Sequence, residues 1–145
     1  MNSYDDGYTA CVRTYSTLCI YPGEAIAPED ITRRLKVEPT SVQHIGERLG
    51  RTGRTIAING WFLTTKDLLD SKDCRRHIDW ILDRVYESKK ELLWMQSEGF
   101  QAYIFRFWES RFANGGPTIS PAQMARLSEL NLDVSWDVYF ARADE

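Results

Sequence analysis

The sequence predicts an α+β domain in which about three helices pack on a four-stranded mixed or antiparallel sheet. Segments rich in β-branched and aromatic residues alternate along the chain with segments whose apolar residues recur at helical spacing. The last of these segments, 133–140, alternates between polar and apolar residues, which is typical of a strand with one buried face. A strand–helix–strand layout at each end of the chain favours a ferredoxin-like sandwich.

A fully parallel, doubly wound sheet is the main alternative. Such a sheet is buried on both faces and needs strands that are apolar throughout, whereas the last segment alternates. The chain has 145 residues, close to the size of one domain. We therefore predict a single domain over 1–145, with flexible ends at 1–7 and 141–145.

The strand predictions rest on composition and on turn residues. The first segment contains no glycine or proline and ends at Tyr21-Pro22-Gly23, and Asn59-Gly60 indicates a turn or a bulge inside the second. In the third, Tyr103, Phe105 and Phe107 share one face, and we assign them to core packing. The predicted strands are Tyr8–Ile20, Thr55–Leu63, Phe100–Trp108 and Val134–Phe140.

The helix predictions rest on caps and apolar spacing. Pro28 opens a short helix that ends before Pro39, with acidic residues in its first turn. A longer helix follows Ser71 and continues or bends into 89–96. The last helix starts at Ser120 with a capping box and ends at Asn131, a candidate left-handed cap.

The helices and the final strand together predict the core. We expect Val134, Trp136 and Val138 to be mostly buried, and Met124 to face inward from the last helix. On the helices, the apolar stripes that should cover this strand are Ile78, Ile81, Leu82, Leu127 and Leu130.

Composition and charge exclude several classes of function. The formal net charge of −3 argues against a nucleic-acid binder, because neutralising phosphates requires a basic surface. No segment approaches the roughly 18 apolar residues of a membrane span, and acids occupy the N-terminus where a secretory signal carries positive charge. We therefore expect a cytoplasmic protein that does not bind membranes.

The sequence also lacks the usual patterns of catalytic and metal sites. Cys11, Cys19 and Cys74 form no Cys-x-x-Cys pair, and His44 and His77 complete no zinc-ligand spacing, so we interpret the cysteines as buried thiols and expect no metal and no cofactor. No nucleophile elbow or P-loop occurs. Asp79 and Asp83 lie four residues apart on the polar side of a helix, where such acids are usually solvated, and we predict no catalytic residue.

The segment 38–54 is the candidate binding site. It has no periodicity, contains several glycines, and is predicted to be a long loop. Between Thr32 and Thr55 six basic residues oppose two acidic ones, so this stretch carries 6 − 2 = +4 in a protein of net −3. Arginines pair well with carboxylates and phosphates, and glycine lets a backbone approach a ligand, although a solvated connector has the same composition. The candidate binding residues are His44, Gly46, Arg48, Arg51 and Arg54.

Several short patterns together resemble one family. The chain contains Pro28-Glu29-Asp30-Ile31-Thr32 and Leu35, then Val37-Glu38-Pro39-Thr40, Gly46, Trp61, Asn114-Gly115-Gly116 and the segment from Val134 to Tyr139. Over about Tyr15 to Tyr139 it resembles the bacterial domain of unknown function 4279 family, and it departs from the family at Lys36, where a glycine is expected. The resemblance implies a bacterial or phage setting and an α+β fold, and it supplies no catalytic residues.

From these observations we expect a non-catalytic binding module that recognises an acidic protein partner, for example an immunity-type or regulatory protein. The alternative is a small-molecule or phosphate-binding domain, with or without hydrolytic activity, that uses the Gly/Arg loop 44–54. A homodimer is compatible with either function.

Overall fold

A computed structural model describes residues 3–51 and 53–140. The elements are β1 (Cys11–Tyr21), α1 (Pro28–Leu35), β2 (Ser41–Gln43), β3 (Gly60–Thr64), α2 (Cys74–Val85), a 3₁₀ turn (Tyr86–Ser88), α3 (Lys89–Ser97), β4 (Gln101–Ser110), α4 (Pro121–Glu129) and β5 (Asp133–Phe140). No helix in these residues has both the length and the apolar character needed to span a membrane.

The described strands form one mixed sheet with the order β2-β3-β1-β4-β5. The pairs β2–β3, β3–β1 and β1–β4 are antiparallel, and β4–β5 is parallel, because α4 carries the chain back across the sheet between those two strands. The α+β class is confirmed. The four-stranded ferredoxin-like prediction is wrong: the sheet has five strands, and the extra one, β2, lies inside the predicted loop. Three residues are too short for a periodic signal, so the sequence could not indicate this strand.

The second predicted strand is shorter than expected. Thr55–Leu63 was predicted as one strand, whereas β3 begins only at Gly60. Asn59 explains the break, because its buried side chain accepts a hydrogen bond from the Ile45 N–H and donates one to the Ile26 carbonyl, at 2.9 Å each. These bonds hold Asn59 just outside the regular pairing of β2 with β3, which starts at Gly60.

The predicted helix ends are confirmed. The Ser120 N–H donates to Gln123 Oε1 at 3.1 Å, which is half of a capping box, and Asn131 closes α4 in the left-handed region at φ 54°. Lys36, the position at which the resemblance led us to expect glycine, closes α1 at φ 58°. A glycine would adopt this conformation without strain, which is a physical reason to expect glycine at this position.

The helices all pack on one face of the sheet. One apolar cluster joins Leu18 and Ile20 of β1, Trp61 of β3 and Ile104 of β4 to buried residues of the helices. The predicted stripes Ile78, Ile81, Leu82, Leu127 and Leu130 are all part of this cluster. The opposite face of the sheet contributes no residue to it.

The predicted burial of β5 is wrong for Trp136 and Val138, whereas Val134 packs partly buried against the core. Val134, Trp136 and Val138 pair with Ile104, Arg106 and Trp108 and so face the helix layer, but Trp136 is 39% exposed and Val138 is 43% exposed. The reason is position, since β5 is an edge strand and the helix layer covers only its start. Met124, predicted to face inward, is also exposed.

The N-terminal segment lies against α2. The Tyr4 hydroxyl donates to Asp79 at 2.6 Å and the Asp5 N–H donates to Asp73 at 2.7 Å. Residues 1–7 and 141–145 were predicted to be flexible, and of these, residues 1, 2 and 141–145 lie outside the described residues.

The contrast between two tryptophans gives a stability prediction. Trp61 is fully buried and its indole N–H donates to Thr32 Oγ1, so Trp61→Ala should lower the free energy of unfolding by about 3–5 kcal/mol. Trp136→Ala should lower the free energy of unfolding by only about 1 kcal/mol, the value of the partly exposed cation–π contact between Trp136 and Arg106. Urea unfolding of both variants with unchanged m-values would measure the difference. Equal losses would contradict the edge position of β5.

Candidate functional site

The predicted loop is an ordered hairpin that extends beyond β2 and β3. The Gly46 N–H donates to the Ile56 carbonyl at 2.9 Å, the Ile56 N–H donates to the Glu47 carbonyl at 2.7 Å, and Arg48 forms a β-bridge with Thr55. Gly46 has φ +93°, a conformation that favours glycine. The five candidate residues therefore lie on one hairpin, which we call the arginine hairpin (residues 44–51 and 53–56).

His44 and Glu47 anchor the base of this hairpin. One ring nitrogen of His44 is 2.5 Å from Glu29 Oε1 on α1, and the other contacts Glu47, whose carboxylate also accepts the His44 N–H at 2.7 Å. The two carboxylates raise the pKa of His44 above its usual value. His44 therefore holds the hairpin against α1, and neither of its ring nitrogens is free to bind a ligand.

The arginines of the hairpin are available for a partner. Arg48, Arg51 and Arg54 are all exposed, and none of them forms an ion pair with another described residue. Near the base of the hairpin is a cavity of about 230 Å³, and its lining residues include none of the three. The hairpin thus presents separate surface charges rather than a closed anion pocket.

The uncovered face of the sheet carries a set of aromatic side chains. Tyr15 stacks on Phe107 at 4.8 Å between ring centroids, Phe107 contacts Tyr139 at 5.2 Å, and Tyr21 contacts Tyr103 at 6.1 Å. Among the described residues, no helix packs over them, and the turn after β3 reaches only Tyr15, through Lys66. The full set, which we call the aromatic face, is Tyr15, Tyr21, Phe62, Tyr103, Phe105, Phe107 and Tyr139.

The assignment of Tyr103, Phe105 and Phe107 to core packing is therefore wrong. Their alternation along β4 was recognised, but both sides of this strand are rich in large residues, and the sequence does not show which side the helices cover. The structure places Ile104 and Trp108 in the interior and leaves the aromatic side chains of the other face only partly buried.

The charges on the aromatic face are mixed. The Arg13 guanidinium lies 5.4 Å from the Tyr15 ring centroid and the Lys66 amine lies 5.5 Å from it. Glu109, Asp133 and Asp137 occupy the β4–β5 side of the same face. Stacked aromatics with a basic surround would suit single-stranded nucleic acid, whereas this balance of charge does not.

The aromatic face and the arginine hairpin are adjacent at one end of the sheet. Tyr21 and Gln101 of the face line the 230 Å³ cavity together with Ile58 and Asn59 from the chain that leads out of the hairpin. The cavity therefore lies between the aromatic face and the segment that leads out of the hairpin.

The predicted thiols are buried and free. Desolvation raises the pKa of Cys11 and of Cys19 to about 11, and it also raises the pKa of Cys74, so all three are protonated thiols at neutral pH. In the described part of the chain, no cluster of His, Cys, Asp and Glu side chains is suited to hold a metal ion.

The acidic residues of α2 differ from expectation in one respect. Asp79 was expected to be solvated, but it is buried, and it accepts hydrogen bonds from Tyr4, Gln123 and Arg126. Asp83 is exposed and pairs with Arg126 at 2.7 Å. These carboxylates join α2 to α4 and to the N-terminal segment, which is a structural role.

One buried residue was missed by the sequence analysis. Arg106 lies on the inner face of β4 between Ile104 and Trp108, and it is fully buried. The signal was present, because an arginine interrupts an otherwise apolar set of alternating positions.

The two histidines should titrate on opposite sides of the usual value near 6.5. Glu29 and Glu47 raise the pKa of His44, whereas burial lowers the pKa of His77, whose ring nitrogens contact Thr65 Oγ1 and the Ser71 carbonyl. The His44 anchor should thus be complete below about pH 6.5 and be lost as the pH rises through its folded pKa. His77 is held neutral in the folded state. The stability of the fold is therefore unaffected by His77 above about pH 6.5, and it falls at lower pH, where the unfolded chain binds the proton more readily.

An NMR titration of the two ring Hε1 signals, with His44→Gln for assignment, would measure both values. Amide protection in the arginine hairpin should fall with the titration of His44 in the native protein and be independent of it in His44→Gln. Coincident titration of the two rings would contradict the geometry of the anchor.

Comparison with known proteins gives a family and no function. The family model described as a domain of unknown function (DUF4279) matches residues 13–141. No curated protein matches the chain, and no solved structure does. Because the match covers most of the sequence, the chain belongs to the DUF4279 family, whose function its description leaves open.

Proposed function

We propose that this protein is a non-catalytic binding module that docks an acidic protein partner on the aromatic face and the adjacent arginine hairpin. The observation that carries this proposal is the sidedness of the sheet: one face is sealed by helices, and the other presents aromatic side chains that no described element covers. Aromatic residues are enriched at protein interfaces, because they combine a large apolar area with few rotatable bonds.

The size of the surface supports a combined site. Strands spaced about 4.8 Å apart and rising about 3.3 Å per residue give the aromatic face an area on the order of 500 Å². A stable interface buries about 800 Å² on each partner. The face alone is too small, and the hairpin that continues it supplies the remaining area.

Charge indicates the kind of partner. Arg48, Arg51 and Arg54 form no ion pair within the described residues. A partner that contributes carboxylates would form ion pairs with them. Such a partner is a protein with an apolar patch bordered by acids, as an immunity-type or regulatory interaction would require. A phosphate-binding or hydrolytic function for the hairpin is less well supported, because its arginines do not line the cavity near its base.

Phe105→Ser tests the aromatic face. Phe105 lies between Thr17 of β1 and Ser135 of β5, near the middle of the face, and its loss should weaken partner binding at least about tenfold, since central aromatic contacts dominate interfaces. The measurement is quantitative capture from the native host, followed by a Kd for the captured protein. Met124→Ser is the matched control, because it removes an exposed apolar side chain from the helix layer.

Two results would contradict this part of the proposal. One is equal capture by Phe105→Ser and by the native protein. The other is a dimer of the native chain that Phe105→Ser converts to a monomer, because the occupant of the face would then be a second copy.

Arg48→Ala combined with Arg51→Ala tests the hairpin. The double variant should abolish partner binding and leave the melting temperature nearly unchanged, because both side chains are exposed. Binding by the native protein should weaken with added salt, since the Debye length is about 8–10 Å at 0.1–0.15 M. The control is Lys90→Ala with Arg111→Ala, which removes the same charge away from the hairpin. Normal partner binding by the hairpin variant would show that the hairpin is a solvated connector and not part of the binding site.

A further inference from the structure

The inner face of the sheet contains a cluster of buried donors without acceptors. Arg106 on β4 lies opposite Ser16 on β1, and Trp108 follows two residues later on the same face. All three side chains are buried, and within the described residues no hydrogen-bond partner meets Ser16 Oγ, Trp108 Nε1 or the Nε, Nη1 and Nη2 atoms of Arg106. Buried polar groups in folded proteins are nearly always paired, so this cluster requires an explanation.

The nearby carboxylates are occupied by other residues. Asp73 accepts hydrogen bonds from Arg75 and from the Asp5 N–H. Asp79 forms its ion pair with Arg126 at 3.2 Å. Asp73 is close enough to favour the charged form of Arg106, but no described carboxylate accepts a hydrogen bond from its guanidinium.

The other polar neighbours of Arg106 are uncharged. Cys74 lies beside the guanidinium, but its sulfur donates to the Thr118 carbonyl at 2.9 Å and so carries a proton. His77 donates from Nε2 to the Ser71 carbonyl at 2.7 Å, which leaves Nδ1 to accept from the Thr65 hydroxyl. This neutral form agrees with the lowered pKa that burial gives His77.

A guanidinium is always charged near neutral pH, and an unpaired charge inside a protein is strongly disfavoured. All of the unpaired atoms can donate hydrogen bonds. An acceptor with negative charge would pair with these donors and would also neutralise the guanidinium. We propose that Arg106, Ser16 and Trp108 form an internal binding site for a small oxyanion, a phosphate or a carboxylate.

The surroundings of Arg106 are consistent with entry of such an anion. On one side the guanidinium is covered by the ring of Trp136, 4.4 Å away, which belongs to the edge strand and is itself 39% exposed. Cys74, which lies beside the guanidinium, also lines a cavity of about 150 Å³ together with Lys72, Arg75 and two aspartates, whereas Arg106, Ser16 and Trp108 are not among its lining residues. A water molecule occupies about 30 Å³, so this cavity has room for a small ion and its hydration.

The site is independent of the proposed partner surface. Arg106 faces the helix layer, whereas the aromatic side chains of β4 face the opposite side. Loss of partner binding in Phe105→Ser should therefore leave anion binding intact.

Thermal unfolding in defined salts tests the proposal. The native chain is unfolded, refolded in a buffer with chloride as the only other anion, and titrated with sodium phosphate or sodium acetate at constant ionic strength. We expect the melting temperature to rise with one of these oxyanions and to depend on its concentration as a single site does. The phosphate and acetate series distinguish a phosphate site from a carboxylate site.

Arg106→Met is the matched variant. It keeps an apolar chain of similar length and removes the charge, so it should be at least as stable as the anion-free native chain and should lose the specific response to oxyanions. Phosphate also stabilises proteins by exclusion from their surface, and that effect should be the same in both chains. Equal shifts in the two chains, or no shift in the native chain, would overturn the proposal.

Trp108→Phe and Ser16→Ala keep the test decisive if Arg106→Met does not fold. Each removes one donor and little volume, and each should weaken the oxyanion Kd about tenfold, as measured by equilibrium dialysis with labelled phosphate or acetate. A Kd unchanged in both variants, or no binding to the native chain, would show that water rather than an anion meets these donors.

Discussion

One-sided burial of the sheet is the constraint on which the other features depend. β1 is the central strand, paired antiparallel with β3 on one side and with β4 on the other, and its Leu18 and Ile20 lie at the centre of the apolar core. Helices on a single face can bury only alternate residues of each strand. The remaining residues must therefore either be polar or serve a surface function, and here many of them are aromatic.

The two edges of the sheet are stabilised by different kinds of contact. At the β2–β3 end, Asn59 and His44 fasten an ordered hairpin to the segment that leads into α1. Ile56 of the hairpin is buried, but Arg48, Arg51 and Arg54 are exposed, so the arginines can change with little cost to the core. At the β5 end, the edge strand is only partly covered, and the layer beneath it is polar instead of apolar.

That polar layer distinguishes this core from a simple apolar sandwich. Arg106 lies among Cys74, His77 and Ser16, while the carboxylates of α2 are directed to Arg75, Arg126 and the N-terminal segment. The acids of α2 thus hold neighbouring elements together, and none of them accepts a hydrogen bond from the buried guanidinium. Burial of a charge without a hydrogen-bonded partner opposes folding, and the proposed oxyanion site accounts for this feature.

Much of the secondary structure was determined by the sequence alone. The helices at Pro28 and Ser120, the long helix after Ser71, and the strands β1, β4 and β5 were predicted because caps, turns and periodicity depend on residues close together in the chain. The membership of His44, Gly46, Arg48, Arg51 and Arg54 in one segment was also evident before the structure. Whether that segment was a loop or a hairpin was not, because β2 has only three residues.

Only the tertiary structure decided which face of each strand is covered. Alternation along β4 and β5 shows that their side chains separate into two sets, but a set is buried only if a helix, distant in sequence, packs over it. For this reason Trp136 is half exposed on an edge strand, Phe105 lies on an open face, and Arg106 is enclosed. The sequence determined the sidedness of each strand, and the packing of the helices determined which side became the interior.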